Sequence, residues 1–376
     1  QGIYDAEKYS RSQDYEKTKH RFGLISSSLS FIAMMCMLFF NGFAFADNIA
    51  RSYSENTIFI ALLFFGMIGI ASDILSLPFQ LYAQFVIEKK FGFNKMTYRT
   101  FILDKIKSYF LAVIIGGGLM ALIIFVFENT GEYFWLLAWA IVTAFMIFMS
   151  MFYSSLIVPL FNKQKPLEEG ELKNSINNFA AKAGFKLANI YVIDGSKRST
   201  KANAYFSGLG AKKRIVLFDT LIQNHTTEEL VAVLAHEIGH YKKKHTLKGM
   251  LMSVVQTGIL LYIMGQFIGN PVLSEALGAG QGSFHMGILA FGMLYGPISL
   301  ILGLLMNAIS RRYEYQADRF AAEKYNAKAL KDALIKLSVN HLSNLRPHPV
   351  YVMFHYSHPP LLRRLKALDE AGTATS

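Results

Sequence analysis

Long apolar stretches alternate with charged segments along this chain of 376 residues. A hydrocarbon core about 30 Å thick is crossed by roughly 20 apolar residues in a helix. Six stretches have about this length, at residues 24–46, 57–77, 109–127, 134–160, 249–268 and 284–309. None has the short apolar core and small-residue cleavage site of a signal peptide. The pattern predicts a polytopic α-helical membrane protein.

Basic residues are unevenly distributed between the loops of these six spans. Lys and Arg precede the first span, lie between the second and third, and follow the fourth and sixth, whereas the other loops carry only Arg51. Cytoplasmic loops are enriched in Lys and Arg, so we expect both chain ends and residues 161–248 on the cytoplasmic side. Because the chain starts with Gln1 rather than Met, we also expect residues ahead of it, and a further membrane helix could be among them.

Composition and charge agree with a membrane protein and argue against nucleic-acid binding. Hydrophobic residues make up 52% of the chain and charged residues 17%, whereas soluble domains have about 25% charged residues. The net charge of +12 comes from residues at the ends of apolar runs, without the basic face of a nucleic-acid-binding domain. Cys36, the single cysteine, allows neither an internal disulfide nor a Cys-rich metal site.

Residues 161–248 have the pattern of a small α/β domain. An amphipathic helix is expected at 168–184, ended by Gly184. Thr226 and Glu229 have the spacing of a capping box, so a second helix should begin there. Three short β-type runs lie between these helices, at 189–193, 202–206 and 214–219.

The second helix carries the sequence His236-Glu237-Ile238-Gly239-His240, an H-E-x-x-H motif. Positions i and i+4 share one helix face, so both imidazoles can bind one zinc ion. Glu237 can then take a proton from water at the metal. The alternative is a surface helix with incidental His and Glu residues, but the capped helix is the context that the motif requires. We expect this helix to continue toward the fifth span.

A catalytic zinc site needs a third protein ligand, and Glu314 is the best candidate. It follows the sixth span and therefore lies on the same side as His236, whereas Cys36 lies within the lipid. Asp318, one helical turn further on, could hold a ligating imidazole through its other nitrogen. Alternatively, Glu314 and Asp318 pair only with nearby arginines: Arg311, Arg312 or Arg319. The residues alone leave both interpretations open.

Five separated motifs resemble those of the type I CAAX prenyl endopeptidases, zinc metalloproteases of the endoplasmic-reticulum and inner nuclear membranes with relatives in bacterial cytoplasmic membranes. The motifs are LPFQLYAQFVIEKKFGFNKMT (77–97), SKRSTKANAYFSGLGAKKRIVLFDT (196–220), HEIGH (236–240), SRRYEYQADRF (310–320) and HYSHPPLLRRL (355–365). The resemblance implies seven membrane helices, the first of them ahead of Gln1. These helices would form a barrel around a water-filled chamber, with a small zincin-type α/β peptidase domain inserted.

The resemblance also implies roles for individual residues. Glu314 would be the third zinc ligand, with Asp318 orienting a ligating histidine. Asn203 and Ala204 would belong to an edge strand that pairs with the substrate backbone. Two further residues, His358 and Arg364, would stabilise the oxyanion. By residue type alone, Asn203 could be a turn residue, His358 a helix cap and Arg364 a solvated charge.

The expected organisation has five parts: a juxtamembrane segment (1–23), four membrane helices (24–160), a cytosol-facing zinc peptidase domain (161–248), two membrane helices (249–309) and a C-terminal peptidase segment (310–376). One zinc ion per chain would serve a membrane endopeptidase. Its substrate would be a protein C-terminus with a prenylated cysteine followed by three residues. One alternative is a bacterial quality-control protease. Another is a channel or transporter with a non-catalytic zinc site, for which Asp73 within the second span is the supporting feature.

Overall fold

The computed structural model describes residues 2–185, 189–208 and 214–373. Gln1 and residues 374–376, at the ends of the two expected terminal segments, lie outside the described residues. The described α-helices are α1 (Ala6–Phe39), α2 (Gly42–Tyr53), α3 (Thr57–Tyr82), α4 (Glu88–Lys90), α5 (Tyr98–Leu111), α6 (Gly118–Thr130), α7 (Phe134–Leu156), α8 (Val158–Phe161), α9 (Glu171–Lys182), α10 (Asp219–Asn224), α11 (Thr227–Lys242), α12 (His245–Phe267), α13 (Pro271–Glu275), α14 (Phe284–Ala321), α15 (Ala327–Asn340), α16 (Pro349–His355) and α17 (Leu361–Thr373).

Five described helical segments are long and apolar enough to cross a membrane. They are Ala6–Phe39, Thr57–Lys90, Tyr98–Phe161, His245–Phe267 and Phe284–Asn340. The third holds two of the six expected spans, separated by a 3-10 turn at Gly131–Tyr133. The prediction of a polytopic helical membrane protein is therefore confirmed.

The first expected span, 24–46, is wrong at its C-terminal end. Helix α1 stops at Phe39, and Asn41 adopts the left-handed conformation with φ of 53°. Asparagine tolerates this conformation better than most residues. Gly42 then begins α2 where a Cβ atom would lie 2.6 Å from Met37 Sδ. The chain therefore turns here instead of continuing as one helix.

Helix α14 is the longest described helix, with 38 residues. It starts in the apolar part of the molecule at Phe284 and contains Pro297 in its interior. Its last turns are buried beside α11, where Ala317 and Ala321 are fully enclosed. One helix therefore joins the membrane part to the α/β part.

The α/β part contains a four-stranded sheet of order β1-β2-β4-β3. The strands are β1 (Gln164–Pro166), β2 (Ile190–Ile193), β3 (Ala204–Ser207) and β4 (Arg214–Phe218). β2 and β4 are parallel, and the other two pairs are antiparallel. The three expected strands are confirmed to within two residues at their ends, whereas β1 was not expected. Among the described residues, β3 has a neighbour on one edge only.

Helix α11 lies at the centre of the α/β core. Leu234 and Ile238 are fully buried in a cluster that includes Ile176 of α9, Leu217 of β4 and Leu330 of α15. Burying side chains of this size contributes about 1.5–3 kcal/mol each. The helix that carries the H-E-x-x-H motif is thus fixed by packing on several sides.

The expected continuation of α11 into the fifth span is wrong. α11 ends at Lys242, and Lys244 has a positive φ of 57° before α12 begins at His245. Left-handed residues do not continue an α-helix. The peptidase helix and the next membrane helix are therefore separate elements.

An ion pair joins the α/β part to the membrane helices. Arg198, after β2, donates from Nε and Nη2 to the Asp104 carboxylate of α5 at 2.8–2.9 Å. Its Nη2 also donates to the Phe161 carbonyl oxygen at 2.7 Å. Both charged side chains are mostly buried, so this contact fixes the domain on the helices.

Candidate active site

Helix α11 begins with the expected capping box and presents two histidines on one face. The Glu229 N–H donates to Thr226 Oγ1, and the Thr226 N–H donates to Glu229 Oε2. Two otherwise unpaired N–H groups are satisfied in this way. Two turns later, His236 Nε2 and His240 Nε2 lie 3.1 Å apart.

Helix α14 brings its carboxylates to the same place by packing closely against α11. Gly239 permits this approach, because a Cβ atom there would lie 3.2 Å from the Ala317 Cα atom and 3.1 Å from the Phe320 ring. Glu314 and Asp318, one turn apart on α14, are only 4% and 1% exposed. The glycine of the motif thus allows the two helices to approach this closely.

One nitrogen from each of two histidines and the two oxygens of Glu314 lie at about the spacing of ligands in a tetrahedral zinc site. Glu314 oxygens lie 3.5 Å from His236 Nε2 and 3.3 Å from His240 Nε2. With zinc–ligand bonds of about 2.0–2.1 Å, tetrahedral ligands are separated by roughly 3.3 Å. Glu314 Oε2 is buried and accepts no hydrogen bond from the described residues. The three side chains therefore fit a divalent metal, and they form a possible metal-binding group among the described residues.

Asp318 and Arg364 support this group from behind. Asp318 Oδ1 lies 2.9 Å from His236 Nδ1, the ring nitrogen that faces away from the cluster. Arg364 of α17 donates to both Asp318 oxygens at 2.8 and 2.6 Å, and its Nη1 lies 3.4 Å from Glu314. The structure thus gives Asp318 an arginine partner, but not one of the nearby arginines considered from the sequence.

A cavity of about 580 Å³ brings the remaining candidate residues together. Glu237, His236 and Glu314 line it, and apolar side chains from α15 form part of its wall. Its lining also includes Asn203, Ala204, His358 and Arg364. These four residues, which the resemblance assigns to substrate binding and catalysis, therefore face the same space as Glu237. Asp318 lies behind the candidate metal-binding group instead.

Glu237 and His358 occupy different environments in this cavity. Burial raises the pKa of the Glu237 carboxyl, while the positive charge of protonated His236 and His240 would oppose the rise. His358 Nε2 lies 3.2 Å from Glu314 Oε1, and its side chain is 63% exposed. A carboxyl whose pKa is raised holds a transferred proton more readily than an ordinary carboxyl does.

The open edge of the sheet borders the cavity at Asn203 and Ala204. The Asn203 carbonyl accepts from the Phe218 N–H of β4 at 3.0 Å, which fixes this segment beside β4. The Ala204 N–H points away from β4 and donates to Asn203 Oδ1 at 2.9 Å. An unpaired strand edge can pair with an extended peptide.

Sequence patterns gave no role to His245, and they offered Asp73 only as the feature that supports the channel or transporter alternative. His245 is 4% exposed and its Nδ1 lies 3.0 Å from His240 Nδ1. Asp73 accepts hydrogen bonds from Lys105 at 2.5 and 2.6 Å and also from Tyr109. Asp73 is thus paired with a basic side chain of α5, as charged residues within membrane segments usually are.

Comparison with known proteins agrees with this arrangement over nearly the whole chain. Residues 1–163 match the family model described as CAAX prenyl protease N-terminal, five membrane helices, and residues 166–372 match peptidase family M48. The chain belongs to the M48 peptidase family.

Individual relatives of this M48 peptidase are similar along most of their length. It is 38% identical to the CAAX prenyl protease 1 homolog of Oryza sativa subsp. japonica, covering 99% of this chain and 89% of the relative. Identity to CAAX prenyl protease 1 of Saccharomyces cerevisiae is 35%, covering 97% and 86%. The crystal structure of S. mikatae Ste24p superposes with a TM-score of 0.94 at 35% identity, covering 98% and 90%. The chain is therefore an integral-membrane metalloendopeptidase.

Proposed function

We propose that this M48 peptidase uses one zinc ion per chain to cleave a peptide bond near the C-terminus of prenylated, CAAX-type proteins. The convergence of His236, His240 and Glu314 beside Glu237, in a cavity bordered by an open strand edge, carries the proposal. Relatives named CAAX prenyl protease 1 support the substrate class.

His236, His240 and Glu314 would hold the zinc ion. When bound, zinc supplies a Lewis acid that lowers the pKa of water to about 7 and polarises the scissile carbonyl. Asp318 would keep the His236 ring oriented through Nδ1, and Arg364 would keep Asp318 ionised and in place.

Glu237 is the proposed general base and acid. Its carboxylate would take the proton from the attacking water and return it to the nitrogen of the leaving amine. The Arg364 guanidinium and the His358 imidazole would stabilise negative charge on the carbonyl oxygen. Both line the cavity with Glu237.

The proposed substrate fits the walls of the cavity. Asn203 and Ala204 offer a strand edge to an extended C-terminal peptide. Leu330, Leu334 and Leu337 offer an apolar surface to its aliphatic residues. A prenyl chain keeps the substrate at the bilayer, which accounts for a peptidase site built on membrane helices.

The site would face the cytosol. The lysines and arginines that flank the spans support this orientation. The endoplasmic-reticulum or inner nuclear membrane is the compartment that fits the family resemblance.

The test compares the purified full chain with Glu237→Gln and with Glu228→Gln as a matched control. Glu228 lies on α11 but is exposed and bonded to Asn326. Each protein is given a farnesylated CAAX peptide and its unprenylated twin, and bound zinc is measured in the same samples. We expect Glu237→Gln to retain zinc and to lose about 100- to 10,000-fold in kcat, with the control unchanged.

Each part of the proposal can fail separately in this experiment. Equal cleavage of both peptides would remove prenyl recognition and leave a broader membrane peptidase. Undiminished cleavage by Glu237→Gln would contradict its role as the base. A wild-type protein that binds no zinc and cleaves neither peptide would overturn the whole proposal.

A further inference from the structure

The two histidines of the motif have different partners on the ring nitrogens that face away from the ligand cluster. His236 Nδ1 lies 2.9 Å from the Asp318 carboxylate. His240 Nδ1 instead lies 3.0 Å from the Nδ1 atom of a third histidine, His245. A ligating histidine ordinarily donates its second N–H to a carboxylate, a carbonyl oxygen or water. The contact between His240 and His245 therefore needs its own explanation.

The position of His245 is fixed on two further sides. Its Nε2 lies 2.9 Å from Gln316 Oε1 of α14. Its ring stacks on the Tyr313 ring of the same helix, with centroids 4.0 Å apart and an angle of 8° between the planes. The residue is 4% exposed. His245 is thus held between His240 of α11 and the turn of α14 that carries Glu314.

Metal binding determines where the protons lie in this chain of contacts. If His240 binds metal through Nε2, its proton is on Nδ1. His245 Nδ1 must then accept that proton in a hydrogen bond, so the proton of neutral His245 is on Nε2. That N–H donates to the Gln316 oxygen. With the opposite arrangement of protons, His240 Nε2 would carry hydrogen and could not bind a metal.

The backbone between α11 and α12 is shaped to allow this contact. On a continuous helix, a residue five positions after His240 would point about 140° away from it. Lys244 breaks the helix with a φ of 57°, a conformation that costs about 1–2 kcal/mol for a residue other than glycine. His245, the first residue of α12, is thereby returned to the side of His240.

We propose that His245 is a positioning residue that keeps His240 in the tautomer and ring orientation needed for metal binding, through a neutral His240–His245–Gln316 chain. The proposal rests on His240 being a metal ligand, as stated in the proposed function. His236 would then be supported by the Asp318 carboxylate, and His240 by the uncharged imidazole of His245. Among the described residues, neither the candidate metal-binding group nor the lining of the cavity includes His245.

The test measures the zinc dissociation constant of the purified full chain by competition with a chelator. His245→Phe keeps an aromatic ring to stack on Tyr313 but cannot accept a hydrogen bond, whereas His245→Asn retains an acceptor. The control is His225→Phe, which alters another buried histidine whose Nδ1 contacts the Leu221 carbonyl. Loss of such an outer partner typically weakens metal binding about 10- to 100-fold. We expect that loss in His245→Phe, partial recovery in His245→Asn and no change in the control.

A second variant keeps the test decisive if His245→Phe does not fold. Gln316→Leu removes the oxygen that selects the His245 tautomer, so zinc binding should weaken while the zinc-free protein remains folded. Wild-type zinc affinity in both His245→Phe and Gln316→Leu would overturn the proposal. A wild-type protein without zinc would instead overturn the metal site on which it rests. Weakened zinc binding in the folded variants, with the His225→Phe control unchanged, would support it.

Discussion

Replacing Gly239 with alanine tests whether the distance between α11 and α14 determines the geometry of the proposed metal ligands. The new Cβ atom would lie 3.1 Å from Phe320 side-chain atoms and 3.2 Å from the Ala317 Cα atom. Carbon atoms in favourable contact are about 3.5–4.0 Å apart, so the helices must separate by roughly 0.3 Å. Metal sites tolerate deviations of about 0.2 Å in ligand distances. The variant should therefore bind zinc more weakly.

Two opposing effects determine how much Gly239→Ala should change the zinc affinity. Alanine favours the helix over glycine by about 1 kcal/mol, whereas overpacking costs about 1–3 kcal/mol. The zinc-free protein can relieve the overpacking by letting the helices move apart. In the proposed zinc-bound protein, His236 and His240 of α11 would share the ion with Glu314 of α14, so the helices could not move apart. We expect about tenfold weaker zinc binding, equivalent to about 1.4 kcal/mol.

The assay is chelator competition on the full chain in detergent, with Gly249→Ala as the control. Gly249 lies on α12, and a Cβ atom there would have no neighbour within 4 Å. The control makes the same chemical change in a nearby helix and should leave zinc affinity unaltered. If Gly239→Ala binds zinc as tightly as the wild type, the close approach of the helices does not determine the ligand geometry.

Three further outcomes follow from the structure. Arg364→Met should lower the free energy of unfolding by about 3–5 kcal/mol, because Asp318 loses its two buried hydrogen bonds from Arg364. The melting temperature should fall, and an unchanged melting temperature would contradict this. A zinc chelator should abolish peptide cleavage and added zinc should restore it, whereas magnesium, which prefers oxygen ligands, should not; restoration by magnesium would refute a His-ligated site. Burial lowers the pKa of His341 from 6.5 to about 4. As the pH drops from 6.5 toward 4, the unfolded chain takes up a proton at this residue before the folded chain does, so the free energy of unfolding should decrease. His341→Gln, which can still accept the Ala202 N–H, should show a smaller fall in melting temperature over that range, and an identical fall would exclude His341 as its source.

Local sequence rules predicted those parts of the site that depend on neighbouring residues. The capping box at Thr226 and Glu229 and the four-residue spacing of His236 and His240 are properties of one helix, and α11 has both. Glu314 lies on another helix. Its residue type and its side of the membrane could not show whether it binds the metal or pairs with an arginine. The arginine that pairs with Asp318 is Arg364, 46 residues away, and no local pattern indicates such a pairing.

The features missed from the sequence depend on backbone breaks and very short elements. His245 could not be associated with His240 because helical periodicity places it on another face, and only the turn at Lys244 brings it back. Strand β1 has three residues, two of them Lys165 and Pro166, so it lacks the alternation that indicates a strand. The break at Asn41 lies inside an apolar run, where hydrophobicity alone favours one continuous span.

Helix α14 connects the proposed metal site to a helical segment that is long and apolar enough to cross a membrane. Glu314 lies 30 residues after Phe284 on this helix, a lever arm of about 45 Å at 1.5 Å per residue. Rotating the helix by one degree about its Phe284 end would move the Glu314 carboxylate by roughly 0.8 Å. This is several times the tolerance of about 0.2 Å for a metal ligand. Membrane helices tilt to match the thickness of the surrounding hydrocarbon. Lipid thickness would therefore affect the geometry of the proposed metal site, opposed by the packing of α14 on α11 and moderated by the bend that Pro297 permits.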